Sequence, residues 1–168
     1  DVKPENIMIT RDFGVKLVDF GLAKRAGSAK LTAAHVVLGT PYFMAPEQVE
    51  AEEIDARADL YALGVTMFWL LSGCYPFDGE HAIKIMTRRL EEPAPSLAEE
   101  TPGLPPRLAA LVDSLLARRR EERPQSASEV LARLADPRLF DEDIQRPDSR
   151  PVAPPSSDER PAPAWRRP

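Results

Sequence analysis

Apolar and polar positions along this chain follow three rhythms. Near the front, Ile7-Met8-Ile9-Thr10 and Val15-Lys16-Leu17-Val18 are short β-prone runs. Arg11-Asp12-Phe13-Gly14 separates them, so the segment predicts a hairpin, with Gly14 at the turn position that needs positive φ. Residues 22–46 show no clear period and are rich in Ala, Gly, Ser and Thr. A loop of that length inside a compact domain is usually functional. From Asp55 to Ser72 the pattern predicts a helix, with Asp55 as N-cap and Gly73 just past its end. Leu60, Leu63, Val65, Met67, Phe68, Trp69, Leu70 and Leu71 spread over nearly every side of it. A helix apolar all round is buried rather than amphipathic. Its apolar stretch from Leu60 to Leu71 is 12 residues, against the ~20 that cross a bilayer. Three more helices are expected: one over roughly residues 80–90, one from near Pro106 carrying Leu108, Leu111, Val112, Leu115 and Leu116, and one from Ser126. Ser126 and Glu129 form a Ser-x-x-Glu capping box for the last. After Phe140 the apolar signal stops.

Composition sharpens this picture in a few places. The 43% apolar and 29% charged residues exclude a wholly disordered chain and a collagen. The single cysteine, Cys74, excludes an internal disulfide and a multi-cysteine metal site, and its aromatic neighbours suggest a small, buried or half-buried side chain. A net charge of −5 argues against a nucleic-acid binder. Arg118-Arg119-Arg120 is the local exception; it reads as a solvated helix end before it reads as a phosphate patch. Of the 18 prolines, seven lie in the last 22 residues. Residues 139–168 are therefore expected to be a Pro-rich disordered tail or linker, and residues 1–138 the folded part. The sequence begins at Asp1 rather than Met, from which a piece of a longer chain is expected.

Candidate chemistry concentrates at the front. Asp1-Val2-Lys3-Pro4-Glu5-Asn6 puts a carboxylate, an ammonium and an amide on one short loop, and the hairpin returns the chain so that Asp19 can face Asn6. A carboxylate with an amide oxygen is hard ligation suited to Mg²⁺ that also holds substrate phosphates. Lys3 can neutralise a phosphate and Asp1 can accept a hydroxyl proton, which together are the parts of a phosphoryl-transfer site.

These residues carry a resemblance. Asp1-Val2-Lys3-Pro4-Glu5-Asn6 is similar to the end of the catalytic loop of protein kinases, Asp19-Phe20-Gly21 to their metal-binding Asp-Phe-Gly, and Ala45-Pro46-Glu47 to their Ala-Pro-Glu. A second Asp-Phe-Gly, Asp12-Phe13-Gly14, sits in the hairpin turn and reads as a chance repeat. The chain from residue 1 to about 135 resembles the C-terminal lobe of a bacterial Ser/Thr protein kinase of eukaryotic type. The implied fold is mainly α with a short β-hairpin, a protein-kinase-like C-terminal lobe that forms part of an α+β two-lobed fold.

The resemblance implies roles. Asp1 accepts or orients the substrate hydroxyl, Lys3 contacts the transferred phosphoryl group, and Asn6 and Asp19 are Mg²⁺ ligands. Gly39-Thr40-Pro41-Tyr42 docks the residue after the phospho-acceptor, with Thr40 expected to hydrogen-bond Asp1 and Lys3. Glu47 and Arg123 would form a buried ion pair, and Asp59 would brace the catalytic-loop backbone. Ser28 and Thr32 are phosphosite candidates in the activation segment. ATP is the implied co-substrate, proteins with Ser or Thr acceptors the partners, and the cytoplasm the compartment, with membrane anchoring of the parent left open.

The pattern departs from the family at the front. His-Arg before the position of Asp1, a Gly-rich phosphate loop, a strand Lys and a helix Glu are not found in the 168 residues. Two functions follow as expectations: part of an active Ser/Thr kinase, or a catalytically dead kinase-like interaction module. In either case the chain expressed alone is expected to be inactive and to bind ATP weakly.

Overall fold

The computed structural model describes residues 2–18 and 41–140. A 3-10 turn over Pro4–Asn6 leads into a two-stranded antiparallel hairpin, β1 (Ile7–Ile9) and β2 (Val15–Leu17). Ile7 pairs with Leu17, Met8 with Lys16 and Ile9 with Val15. The left-handed residue of the turn is Phe13 (φ 62°), not Gly14. Glycine is needed at position 14 for space: a Cβ there would stand 2.8 Å from Thr10 Oγ1. That hydroxyl donates to Asp12 Oδ1 (2.5 Å) and lies 3.0 Å from Gly14 O, so the turn is closed by a side chain that needs the room. The first Asp-Phe-Gly is thus wholly a turn, with Phe13 exposed to solvent.

Helices make the rest of the described structure: α1 (Pro46–Val49), α2 (Arg57–Ser72), α3 (Ala82–Glu91), α4 (Leu97–Glu100), α5 (Pro106–Leu115) and α6 (Ala127–Leu134). The expected central helix is α2. Asp55 accepts the Arg57 N–H at 2.8 Å, supplying an N-terminal acceptor from just outside the helix. Gly73 ends it in the left-handed conformation (φ 78°), its N–H returning to Trp69 O at 2.8 Å. Tyr61, Ala62, Val65 and Phe68 of α2 pack with Phe43, Leu97, Ala109, Val112 and Leu116 in the main core. Burial of an aliphatic or aromatic side chain is worth about 1.5–3 kcal/mol, so the Val65–Phe68 turn alone ties α2 firmly to its neighbours. Burial is not uniform, however. Leu70 is 65% exposed, and Trp69 is only half-buried, stacked on Tyr75 at 6.2 Å.

Close approach of α2 and α5 depends on Gly64. A Cβ at that position would meet Leu115 Cβ at 2.7 Å. Leu60 of α2, Leu115 of α5 and Val130 of α6 form a second small core beside this crossing. The start of α6 differs from a full capping box. Ser126 Oγ accepts the Glu129 N–H (3.2 Å), but Glu129 Oε2 takes the N–H of Gln125 (2.8 Å), one residue before the cap. Two short helices have no periodicity to betray them. In α1, the Ala45 N–H is capped by Gln48 Oε1 (2.8 Å). In α4, Asp113 of α5 accepts from Leu97 N–H and Ser96 Oγ, both at 2.9 Å. Cys74 is exposed rather than buried, because the chain turns outward after Gly73. A last 3-10 turn, Pro137–Leu139, buries Leu139. Among the described residues no helix is long and apolar enough to cross a membrane.

Candidate functional site

Of the residues singled out in the sequence, Asp1, Asp19, Ser28, Thr32 and Thr40 lie outside the described residues, as does the chain from 141 onward. Lys3, Asn6, Glu47, Asp59 and Arg123 lie within them. The Lys3–Asn6 loop is a tight turn because Pro4 fixes its first φ and the Asn6 N–H returns to Lys3 O at 2.9 Å. Asn6 is buried, while Lys3 is half-buried. The carbonyl of Asn6 accepts the N–H of Val18 at 2.8 Å. Val18 directly precedes Asp19 in the chain, so the hairpin brings the end of β2 back to the turn that carries Lys3 and Asn6. Beneath this turn, Thr66 of α2 lies 2.9 Å from Ala62 O and 3.4 Å from Val2 O. Thr66 is buried; its single hydroxyl hydrogen goes to Ala62 O at the shorter distance, and the carbonyl of Val2 packs beside it. Asp59, in the first turn of α2, is exposed.

A second constellation lies at α1. Glu47 and Arg123 are buried and face each other bidentately, Nη1 to Oε1 at 2.7 Å and Nη2 to Oε2 at 2.8 Å. The guanidinium also donates through Nε to Ala117 O (2.8 Å), through Nη1 to Arg57 O (3.1 Å) and through Nη2 to Arg118 O (2.9 Å). All five N–H donors of an arginine are thereby used. The Tyr61 ring lies 4.9 Å from its central carbon. The pair links the segment after Pro46 to the chain between α5 and α6, across 76 residues of sequence.

The basic run beside it is consumed by carboxylates. Arg118 lies 4.0 Å from Glu50 and Arg119 3.9 Å from Glu122. Arg120 lies 3.2 Å from Glu121 and 3.8 Å from Asp55, and it donates to Glu53 O. The run is not the helix end expected: α5 stops at Leu115, Arg118 and Arg119 are exposed in the turn that follows, and Arg120 opens a 3-10 turn, with acids interleaved. Asp55 also binds Arg57, whose hydrogen bonds hold its carboxyl at about 2, below the ordinary 3.8. Among the described residues no group of three or more His, Cys, Asp or Glu side chains is placed to hold a metal.

One residue escaped the sequence reading. Arg89 in α3 is 1% exposed. Its Nη1 donates to Pro41 O at 2.5 Å and its Nη2 to Tyr42 O at 2.7 Å. The rings of Tyr61 and Phe77 each lie 5.8 Å from its guanidinium carbon, and burial pushes its basicity below the ordinary arginine value. A signal was present in the sequence: Arg89 stands four residues after Ile85, on the one face of α3 that turns inward.

Known proteins resemble this chain throughout the described region. The protein kinase domain family matches residues 1–134. The serine/threonine-protein kinase PknL of Mycobacterium tuberculosis is 38% identical over 157 residues, covering 94% of this chain and 39% of that protein. The probable serine/threonine-protein kinase pknA2 of Bifidobacterium longum is 38% identical over 138 residues, covering 80% of this chain and 18% of that protein. The serine/threonine-protein kinase pkn3 of Myxococcus xanthus is 37% identical over 162 residues, covering 90% of this chain and 29% of that protein. The chain spans at most 39% of the length of these relatives.

Proposed function

The chain belongs to the protein kinase domain family, and we propose on that footing that residues 1–138 are the C-terminal lobe of a Ser/Thr protein kinase. The reaction is transfer of the γ-phosphoryl group of ATP to a Ser or Thr hydroxyl of a protein. The acceptor oxygen forms a bond to the γ-phosphorus, the bond from that phosphorus to the β–γ bridging oxygen breaks, and ADP leaves. The hydroxyl proton passes to the Asp1 carboxylate. Lys3 meets the transferred group with its ammonium, and Thr40 hydrogen-bonds Asp1 and Lys3.

The observation that supports this reading is the hydrogen bond from Val18 N–H to Asn6 O at 2.8 Å. It returns the chain to the Lys3–Asn6 turn at Val18, the residue that precedes Asp19 in the sequence. The amide oxygen of Asn6 and the carboxylate of Asp19 are an all-oxygen donor set that fits a hard divalent cation. Asn6 and Asp19 would hold Mg²⁺, which supplies charge neutralisation to the phosphates. The buried Glu47–Arg123 pair anchors the activation segment at its end, Asp59 braces the catalytic loop, and Ser28 and Thr32 are phospho-acceptors of that segment. The reaction takes place in the cytoplasm, where ATP is available; the linker expected from residue 139 starts later, because Leu139 is still buried in the last 3-10 turn, and the residues after it are a linker.

The test is a peptide phosphorylation assay with the full protein that carries residues 1–168. Asp1→Asn is expected to lower kcat by about 10²–10⁴-fold, the usual worth of a positioned general base. Asn6→Ala is expected to raise the Mg²⁺ concentration needed for half-maximal rate. Phosphoryl transfer that survives Asp1→Asn undiminished refutes the assignment.

A further inference from the structure

Two arginines are buried among the described residues, and only one of them is well satisfied. Arg123 has a carboxylate partner and uses all five donors. Arg89 is equally buried, yet among the described residues no carboxylate pairs with it, and its Nε–H has no hydrogen-bond partner. Its guanidinium donates to the carbonyls of two consecutive residues, Pro41 and Tyr42, and also interacts with the Tyr61 side chain. A buried cation is costly to desolvate, and even fully paired buried charges are often replaced by apolar residues without loss of stability. As a device for stability Arg89 is therefore poor. As a device for holding one backbone segment in one place it is well made. A planar fork reaches two carbonyls at once, and its central carbon lies 5.8 Å from the ring centroids of both Tyr61 and Phe77.

The segment it holds is constrained on its other side as well. Tyr42 stacks on Tyr75 at 4.2 Å and donates its hydroxyl to Asp78 at 3.2 Å. Phe43, next in the chain, is in the core. Pro41 and Tyr42 are thus gripped by α3 through their carbonyls and by the loop after α2 through a ring. They directly follow Thr40 in the sequence.

We infer that Arg89 is a positioning residue for substrate selection: by clamping the Pro41 and Tyr42 carbonyls it sets the shape of the surface that receives the peptide residue after the phospho-acceptor. This rests on the kinase reading above, which gives that docking role to residues 39–42. It adds a determinant on α3, 47–48 residues away in sequence, that touches neither ATP nor the transferred group.

The test compares wild type, Arg89→Met and Arg89→Lys in the full protein that carries residues 1–168. Each is assayed on a peptide set varied at the residue after the acceptor. For Arg89→Met, peptide KM is expected to rise about tenfold, equivalent to about 1.4 kcal/mol. The KM for ATP should stay unchanged, the preference after the acceptor should flatten, and Tm should hold or rise. Arg89→Lys, which keeps the charge but not the fork, should fall between the two. Amide exchange at residues 42–45 should quicken in Arg89→Met. Wild-type peptide KM, preference and exchange in Arg89→Met would overturn the inference while leaving the kinase reading standing. A lowered Tm with peptide and ATP KM both unchanged would overturn it in favour of a packing role. A wild-type protein that phosphorylates no peptide refutes the kinase reading, and the inference with it.

Discussion

Replacing Arg123 by Met tests the buried ion pair more sharply than any other single change. Met keeps an unbranched apolar stem beside Tyr61 but removes all five donors. It leaves the Glu47 carboxylate, 4% exposed, without its cation, and the carbonyls of Arg57, Ala117 and Arg118 without a donor. Breaking a buried pair by removing one partner costs about 3–5 kcal/mol, because the remaining charge stays in a poor solvent. The stranded carbonyls add to this, though less than additively, since they share one donor group. A loss of about 4 kcal/mol corresponds to a fall in Tm of roughly 8–16 °C for a chain of this size. The assay is urea unfolding followed by circular dichroism, with the midpoint and slope fitted separately. The double variant Glu47→Leu/Arg123→Met is expected to recover at least half of the loss, because it removes the stranded charge as well. A loss under about 1 kcal/mol for Arg123→Met would place the pair in the class of exposed salt bridges and refute the reasoning.

Two other perturbations follow from the geometry. Gly64→Ala should destabilise by about 1–3 kcal/mol through overpacking at the α2–α5 crossing, despite alanine's better helix propensity; a rise in Tm would refute the close approach. Asp55 is held at about 2, so its contribution to stability is complete above its ordinary value of 3.8 and is lost as pH falls through about 2. Asp55→Asn keeps an acceptor for the Arg57 N–H while removing the charge, and should flatten the acid limb of a Tm-against-pH curve in that window; an unchanged limb would count against the pairing.

Much of the architecture is legible in local signals. The hairpin, the full length of α2 between Asp55 and Gly73, the Pro106 start of α5 and the Ser126 start of α6 all announce themselves. Each depends on hydrogen bonds within a few residues or on a repeated apolar spacing, and a linear sequence records both. The candidate site is legible for a different reason. Lys3, Asn6 and the motifs around Pro46 sit at spacings shared with a known family, which the match over residues 1–134 bears out as membership.

Other features depended on neighbours far along the chain. The α4 helix exists at four residues because Asp113, on another helix, caps it. Arg89 looks like any surface cation until α3 docks and the helix face it shares with Ile85 turns inward onto Pro41 and Tyr42. The sequence by itself determined the local elements, the family and the donor types at the front of the chain. Only the tertiary structure decided which charges are buried and how many of their donors are met, since desolvation and hydrogen-bond satisfaction are set by groups tens of residues away.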